Sequence, residues 1–191
     1  MFLALCFNIV GTAIYVGQNL RGEVKPHLVT FFLWSLPPLV AFTAQLTEGA
    51  GVVSLVTLVA GLNPALIFVI ALRRPDAHWS ASLFDVICGL LSLIGILAWW
   101  VSREGLYAIA FAIAADLLAS LPTFRKSFIH PESESPALYA FSTISAAITL
   151  LSIQNWTFSH FGFAAYLLLT DFGLALIIGI RGHLKRVAPQ K

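Results

Sequence analysis

Residues 51–72 read GVVSLVTLVAGLNPALIFVIAL and contain no charged side chain. A helix needs about 20 consecutive apolar residues to cross the hydrocarbon core of a bilayer, so this stretch predicts a transmembrane helix. The whole chain has the same character, since 59% of its residues are hydrophobic and 10% are charged, against about 25% charged in a soluble domain. So few charges could not cover the surface of a soluble fold. The sequence therefore predicts an integral membrane protein.

Similar apolar stretches precede and follow this one, separated by short connections that contain turn residues and charges. Gly22, Gly49 and Pro75-Asp76 lie in three of these connections. Ser135-Pro136 predicts an N-cap followed by proline at the first helical position. The predicted fold class is all-α, with seven transmembrane helices and no soluble domain. The predicted spans are 2–20, 27–46, 51–72, 79–101, 105–125, 136–154 and 158–180.

Basic residues define the predicted orientation, because the cytoplasmic loops of membrane proteins carry an excess of Lys and Arg. With the N-terminus outside, every Lys and Arg except Arg103 falls in a cytoplasmic connection or in the C-terminal tail. The sequence thus predicts a multi-pass protein of the plasma (bacterial inner) membrane with a cytoplasmic C-terminus. The predicted cytoplasmic residues are Arg21, Lys25, Arg73, Arg74, Arg125, Lys126, Arg181, Lys185, Arg186 and Lys191.

The chain also repeats itself at an offset of 110 positions, and Asn8 falls on Asp116 at the nearly equal offset of 108. Because one span lies between the copies, both have the same orientation, which makes this a parallel repeat. We predict a first three-helix repeat in 1–74, a linker helix in 75–104, and a second three-helix repeat with a short basic tail in 105–191. The matches are Ala65-Leu66-Ile67 and Ile70 with Ala175-Leu176-Ile177 and Ile180, and Pro26, Leu28, Phe31 and Ser35 with Pro136, Leu138, Phe141 and Ser145.

Four polar residues lie near the middle of predicted spans, namely Asn8, Asn63, Asp116 and Asp171. An Asp at this depth costs roughly 2.5–3.5 kcal/mol on insertion scales, so such residues are functional candidates. If the repeats pack around a pseudo-two-fold axis along the membrane normal, all four face the centre, where repeat-built transporters bind substrate. A carboxylate in a low-dielectric site can carry a proton or pair with an amine. Asp116 and Asp171 are therefore predicted to couple transport to protons or to bind a cationic group. Alternatively, interhelical hydrogen bonds from Ser, Thr or Tyr to these carboxylates hold the bundle together.

Three further features leave two interpretations open. Trp34, one turn inside the second span, either stacks on a substrate ring or packs in the core. Asp85, near the start of the fourth span, either has a functional role or pairs with a nearby Arg or caps helix ends. Prolines inside the spans remove a backbone hydrogen bond and bend the helix, as a hinge or as a static kink. They are Pro37, Pro38, Pro64 and Pro122.

The motifs of several enzyme classes are absent from the sequence, including GxSxG, HExxH, the Walker A motif and the nucleotide fingerprint. The seventh span contains no lysine that could form a retinal Schiff base. We therefore predict that the protein is not an enzyme, with no catalytic residue, no metal site and no cofactor. Nucleic acid is not an expected partner, because the basic residues lie at helix ends and not on one face. The predicted partners are the lipid bilayer, a small polar solute and protons, and an oligomer remains open.

An arrangement of three helices, a linker helix and three helices, with the N-terminus outside, resembles the PQ-loop superfamily. This family includes the SWEET sugar transporters, the half-sized SemiSWEET proteins and the lysosomal amino-acid exporters. Pro122-Thr123 stands where the family has a Pro-Gln pair in its fifth helix, and Ile14-Tyr15 occupies the corresponding position in the first. Asn63 is similar in position to the Asn that the third helix of SWEET-like proteins supplies to the pocket. The segments KPHLVTFFLW and FDVICGLLSLIGILAWW resemble uncharacterised small bacterial membrane proteins.

Together, the resemblance and the polar residues predict a transporter of a small polar solute, such as a sugar or an amino acid, coupled to protons and working by alternating access. Two alternatives remain open. One is a non-transporting receptor or sorting protein, because the resemblance also extends to cargo receptors on this scaffold. The other is a purely structural membrane subunit. The predicted substrate-binding residues are Asn8, Trp34, Asn63, Asp116 and Asp171, and the predicted hinge residues are Pro37, Pro38, Pro64 and Pro122.

Overall fold

A computed structural model of the protein describes residues 2–73, 79–102 and 105–187. Within these ranges the chain forms seven α-helices, and none of the described residues belongs to a β-strand. The predicted all-α class is therefore confirmed for the described part of the chain. The predicted connections Pro75-Asp76 and Arg103-Glu104, together with Arg74 and Lys191, lie outside the described residues. The helices are α1 (Phe2–Arg21), α2 (Leu28–Thr47), α3 (Ser54–Leu72), α4 (Leu83–Ser102), α5 (Gly105–Ile129), α6 (Pro136–Leu151) and α7 (Phe158–Val187).

Each helix coincides with one predicted span, and most ends differ by a few residues. The largest difference is at the C-terminus of α7, which continues to Val187 instead of ending near residue 180, and α5 likewise continues beyond its predicted end to Ile129. Basic residues lie in the last turns of both helices. Cations stabilise the carbonyl end of a helix dipole, so these side chains extend the helices beyond the apolar stretches that predicted them.

Among the residues that the structure describes, four segments are long and apolar enough to cross a membrane, namely α1, α2, residues 51–72 with α3, and α7. The shorter α6 is also apolar. Large apolar side chains such as Leu90 and Leu169 are exposed on the outside of the bundle, whereas polar ones such as Asn8 and Asp116 are buried. A water-soluble fold has the opposite distribution. These features are compatible with a protein embedded in a membrane.

Glycine ends α1 and α2 in the same way, as the positions of Gly22 and Gly49 in the sequence predict. Both glycines have a φ of 76°, in the left-handed region that glycine adopts most readily. After α1, the amide of Gly22 donates to the carbonyl of Asn19 (3.0 Å) and the amide of Glu23 to that of Gln18 (2.9 Å). This is the Schellman arrangement, which satisfies carbonyls left free at the helix end.

Proline has two different effects on the helices. Pro136 occupies the first turn of α6, so this helix begins where the sequence predicts. The predicted cap is wrong in one respect, because the Ser135 side chain makes no capping hydrogen bond. Inside the helices, prolines do not interrupt the fold: α2 is continuous through Pro37-Pro38, and α3 is continuous through Pro64. Whether these positions act as hinges stays a prediction.

The helices pack in a regular pattern. In the first half of the chain α3 packs against α1 and α2, and in the second half α7 packs against α5 and α6. Between the halves, α1 packs against α6 and α2 packs against α5, while α4 lies against α5 and α2. Hydrogen bonds join Lys25 to Ser133, Trp79 to Pro26, and Lys185 to Ile129. The C-termini of α1, α5 and α7 and the N-termini of α2, α4 and α6 therefore meet at one end of the bundle, which we call the basic end.

The contact between α1 and α6 depends on Gly11. A Cβ atom at this position would lie 2.7 Å from Cβ of Phe141 and 3.3 Å from the carbonyl oxygen of Leu138. We expect Gly11→Ala to lower the free energy of unfolding by about 1–3 kcal/mol, because the two helices must move apart. Gly179→Ala is the matched control, since a Cβ there meets no atom within 4 Å. Thermal unfolding in detergent measures both variants, and equal stability would contradict the close approach.

Candidate functional site

A cavity of about 70 Å³ lies among α1, α2, α3, α5, α6 and α7. The five residues that the sequence predicts to bind substrate all line it, and so do two of the predicted hinge residues, Pro38 and Pro64. The other two, Pro37 and Pro122, are not among its lining residues. That the five predicted binding residues line one cavity is an observation, whereas their role in binding stays a prediction. The five lining residues are Asn8, Trp34, Asn63, Asp116 and Asp171.

A side-chain hydrogen bond joins the two asparagines of the first half. The side-chain amide of Asn63 in α3 donates a hydrogen bond to the side-chain oxygen of Asn8 in α1. The hydroxyl of Thr12, one turn further along α1, donates to the backbone carbonyl of Asn8 (3.1 Å). Since both amides lie at the cavity wall, this pair joins α1 to α3 and presents polar atoms to the cavity.

Each aspartate of the second half accepts one interhelical hydrogen bond. The hydroxyl of Tyr166 in α7 donates to Oδ2 of Asp116 in α5 (2.8 Å). The hydroxyl of Ser142 in α6 donates to Oδ2 of Asp171 in α7. These are bonds of the kind that the structural interpretation of the aspartates predicts. In the described part of the chain, Oδ1 of each carboxylate has no hydrogen-bond donor.

Aromatic side chains form the side of the cavity that faces the basic end. Trp34 packs edge-on against Phe31 (ring centroids 5.5 Å apart) and against Tyr139 (6.3 Å). All three rings line the cavity. The indole N–H of Trp34 is buried and has no partner in the part of the molecule that the structure describes. Trp34 therefore both packs in the core and contacts the cavity.

A buried ion pair lies between this aromatic layer and the basic end. Nζ of Lys126 in α5 lies 2.8 Å from Oε1 of Glu134, and the two side chains are 2% and 0% exposed. The hydroxyls of Tyr15 (3.0 Å) and Tyr139 (3.3 Å) both donate to Oε2 of the same carboxylate. Because Tyr139 also lines the cavity, this cluster of four side chains, the Lys126–Glu134 cluster, directly adjoins it.

The Lys126–Glu134 cluster also fastens the loops at the basic end. The ammonium of Lys126 donates to the backbone carbonyl of Lys25, in the connection between α1 and α2. It lies 5.3 Å from the centre of the Trp79 ring, which precedes α4. The amide of Lys25 in turn donates to the carbonyl of Ser133 (3.0 Å). One lysine thereby links loops from both halves of the chain.

Asp85 has a structural role at the same end of the bundle. Its carboxylate accepts a hydrogen bond from the amide of Ser82 (2.6 Å), which caps the start of α4. It also pairs with Nε2 of His27 at 3.0 Å, and both side chains are buried. The helix-capping interpretation of Asp85 is therefore confirmed, and its side-chain partner in the described residues is a histidine and not an arginine.

A second ion pair of the basic end is exposed. Nζ of Lys185 lies 3.0 Å from Oε2 of Glu132, and the side chains are 46% and 58% exposed. Partial burial raises the pKa of Glu132, but hydrogen bonds from a backbone amide, Lys185 and His130 outweigh this effect, so the pKa lies below its ordinary value. In the part of the chain that the structure describes, no group of three His, Cys, Asp or Glu residues is arranged to hold a metal ion.

The sequence did not predict the Lys126–Glu134 cluster or the role of Tyr166. Lys126 and Glu134 belong to a helix end and a loop, where charges are ordinarily solvated, so nothing in their spacing indicated burial. Tyr166 carried a usable signal, because tyrosines of membrane proteins concentrate at span ends and this one lies inside a predicted span.

Comparison with known proteins adds no relative to this description. No protein-family model matches the chain, and neither a curated protein nor a solved structure is significantly similar to it.

Proposed function

We propose that the protein is a seven-span membrane transporter of a small polar solute, coupled to protons and built on a PQ-loop-like scaffold. The observation that carries this proposal is the cavity in which Asn8 and Asn63 of one half meet Asp116 and Asp171 of the other. Buried polar groups in an apolar bundle mark solute and proton pathways. Their convergence on one cavity between two helix groups favours a transported solute over separate packing contacts.

The helix contacts support two equivalent halves. If α1, α2 and α3 are exchanged with α5, α6 and α7, the contacts within the first half become those within the second. The contact of α1 with α6 likewise becomes that of α5 with α2. Hydrogen bonds follow the same relation, since Asn8 joins α1 to α3 and Asp116 joins α5 to α7. This correspondence is what a parallel three-helix repeat requires.

The distribution of charge supports an orientation with the basic end in the cytoplasm. Lys25, Lys126 and Lys185 lie at this end, together with Arg21, which ends α1, and Arg181 in α7, which donates to the carbonyl of Phe128. Positive residues are retained on the cytoplasmic side of membrane proteins. In this orientation the N-terminus of α1 is outside, as the sequence predicts.

Proton coupling follows from the charges of the cavity. Asp116 and Asp171 line it, and no Lys, Arg or His is among the described residues of its wall. Two ionised carboxylates without a counter-charge are unfavourable in a low-dielectric interior. Each carboxylate is therefore either protonated or balanced by a cation that enters the cavity. Exchange between these two states couples solute movement to proton movement.

Alternating access requires a closed end that opens. The aromatic layer and the Lys126–Glu134 cluster separate the cavity from the basic end and connect α1, α5 and α6 with two loops. In the proposed cycle, movement of the two halves relative to one another breaks these contacts. The small cavity of about 70 Å³ has room for a few water molecules, so a solute of sugar size needs such a movement to enter.

Purified protein in vesicles that contain a pH-sensitive dye tests the proposal. Sugars, zwitterionic amino acids, vitamins and amines are added in turn across an imposed pH gradient. At least one class is expected to produce saturable, solute-dependent proton movement that protein-free vesicles lack. A solute that stabilises the protein against heat but never crosses would instead indicate the receptor. If no solute binds or crosses, the transport proposal is wrong.

A further inference from the structure

The hydrogen-bonding groups of the cavity wall are unbalanced, because most of its donors are already in use. The hydroxyl of Tyr166 donates to Asp116, and that of Tyr139 donates to Glu134. Those of Thr12, Ser120 and Thr170 donate to backbone carbonyls of their own helices. A hydroxyl whose proton is in use presents only its lone pairs. The wall therefore offers many acceptors and few donors to whatever occupies the cavity.

Carboxylate and backbone carbonyl oxygens are further hydrogen-bond acceptors of the residues that line the cavity. Oδ1 of Asp116 and Oδ1 of Asp171 have no donor in the described part of the chain, and both residues line the cavity. Proline at positions 38 and 64 lacks the amide that would bond to the carbonyl four residues earlier. Those carbonyls belong to Trp34 and Ala60, which also line the cavity. Two donor groups of the wall remain free in the described part of the chain, namely the buried indole N–H of Trp34 and the side-chain NH2 of Asn8, whose oxygen accepts from Asn63.

This pattern defines the class of ligand. A primary ammonium group has three donors and no acceptor, so it fits a wall in which acceptors outnumber donors, whereas a carboxylate or phosphate would add negative charge beside two aspartates, with no basic residue among the described residues of the wall. Its positive charge balances the aspartates without a basic residue. The rings of Phe31, Trp34, Tyr139 and Tyr166 line the same cavity, and aromatic faces attract cations.

We propose that the cavity binds a small primary amine in its ammonium form, with the charged nitrogen at Asp116 and Asp171 and the Trp34 N–H facing the rest of the molecule. This proposal names the substrate class of the transporter and rests on the proposed function. An ammonium ion enters as a carboxylic acid proton leaves, so the charge in the cavity stays constant through the exchange. The cavity of about 70 Å³ accommodates a few heavy atoms, which restricts the closed form to amines of the size of methylammonium or ethanolamine.

Binding to the purified full-length protein tests this class directly. Methylammonium chloride is compared with sodium chloride, which controls for ionic strength, with tetramethylammonium chloride, which has the charge but no donors, and with methanol, which is neutral. We expect methylammonium alone to raise the thermal midpoint in a saturable way, and to bind more tightly at higher pH because protons compete for the same carboxylates. Asp171→Asn is expected to weaken binding about ten- to a hundredfold, the effect of losing a hydrogen bond to a charged group.

Two further measurements keep the test decisive. Methylammonium is expected to change the tryptophan fluorescence of the wild-type protein. Trp34→Phe should lose this change, whereas Trp156→Phe, which replaces an exposed tryptophan outside the cavity, should retain it. If a sugar or a zwitterionic amino acid binds and methylammonium does not, the amine proposal is wrong while transport stands. If none of these compounds binds, the cavity is not a solute site and both proposals are wrong.

Discussion

Replacing Lys126 with methionine is expected to lower the free energy of unfolding by about 3–5 kcal/mol, because it leaves the carboxylate of Glu134 buried without its counter-charge. The side chain of Glu134 is 0% exposed, and its remaining partners are the neutral hydroxyls of Tyr15 and Tyr139. A buried charge cannot regain from two such hydrogen bonds what it loses in hydration. Reversible unfolding in mixed micelles with increasing denaturing detergent measures the change.

The double variant Lys126→Met with Glu134→Gln separates charge from shape. It removes both charges, and the glutamine oxygen can still accept the tyrosine hydroxyls, so most of the lost stability should return. Lys185→Met is the matched control, because it breaks an exposed Lys–Glu pair and is expected to change stability by at most about 1 kcal/mol. If Lys126→Met is no more harmful than Lys185→Met, the cluster does not hold the basic end closed.

The number of helices in the described part of the chain and their approximate limits followed from the sequence, because apolar length is a local property. A stretch such as residues 51–72 has no charge that could end a helix early, and Gly22 and Gly49 require the left-handed backbone that ends one. Prediction was less successful where the outcome depends on contacts across the bundle. Nothing near Ser135 in the sequence indicates that its hydroxyl remains unbonded. At Pro37-Pro38 the sequence predicts a bend, as a hinge or as a static kink, and α2 is continuous through both residues.

The same distinction between local features and contacts across the bundle applies to the candidate site. Asn8, Asn63, Asp116 and Asp171 could be selected from the sequence, because a polar residue inside an apolar span is conspicuous without knowing its neighbours. Their hydrogen-bond partners could not be predicted from the sequence, since each partner belongs to a different helix. Asp116 meets Tyr166, which is 50 positions away in the chain, and only the packing of α5 against α7 brings the two together.

The burial of Glu134 was the feature that the sequence indicated least. Its segment, HPESESP, contains two glutamates of similar surroundings in the sequence. Glu132 is exposed and pairs with Lys185, whereas Glu134 points into the bundle between Tyr15 and Tyr139. The short 3-10 turn at Pro131–Ser133 separates these two environments. A difference of two positions in a loop therefore decides between a solvated charge and a buried ion pair.

Asp116→Asn and Asp171→Asn are each expected to abolish proton movement in the vesicle assay while leaving the bundle folded. Asparagine keeps the shape of the side chain and one carbonyl oxygen, so it can still accept the hydrogen bonds from Tyr166 and Ser142 that the aspartates accept. It cannot take up or release a proton. The loss should therefore appear in proton flux and not in the thermal midpoint. Glu132→Gln, which neutralises an exposed carboxylate outside the cavity, is expected to transport normally.

This design also distinguishes the two interpretations of the aspartates. If they only hold helices together, the Asn variants keep transport and stability, and Tyr166→Phe destabilises the protein because it removes the donor itself. If they carry protons, the Asn variants lose proton movement, and Tyr166→Phe lowers stability by about 1–2 kcal/mol while retaining flux. Full proton flux in both Asn variants would end the coupling hypothesis. Because the hydrogen bond and the proton belong to the same carboxyl group, only a substitution that preserves the first and removes the second can assign the function.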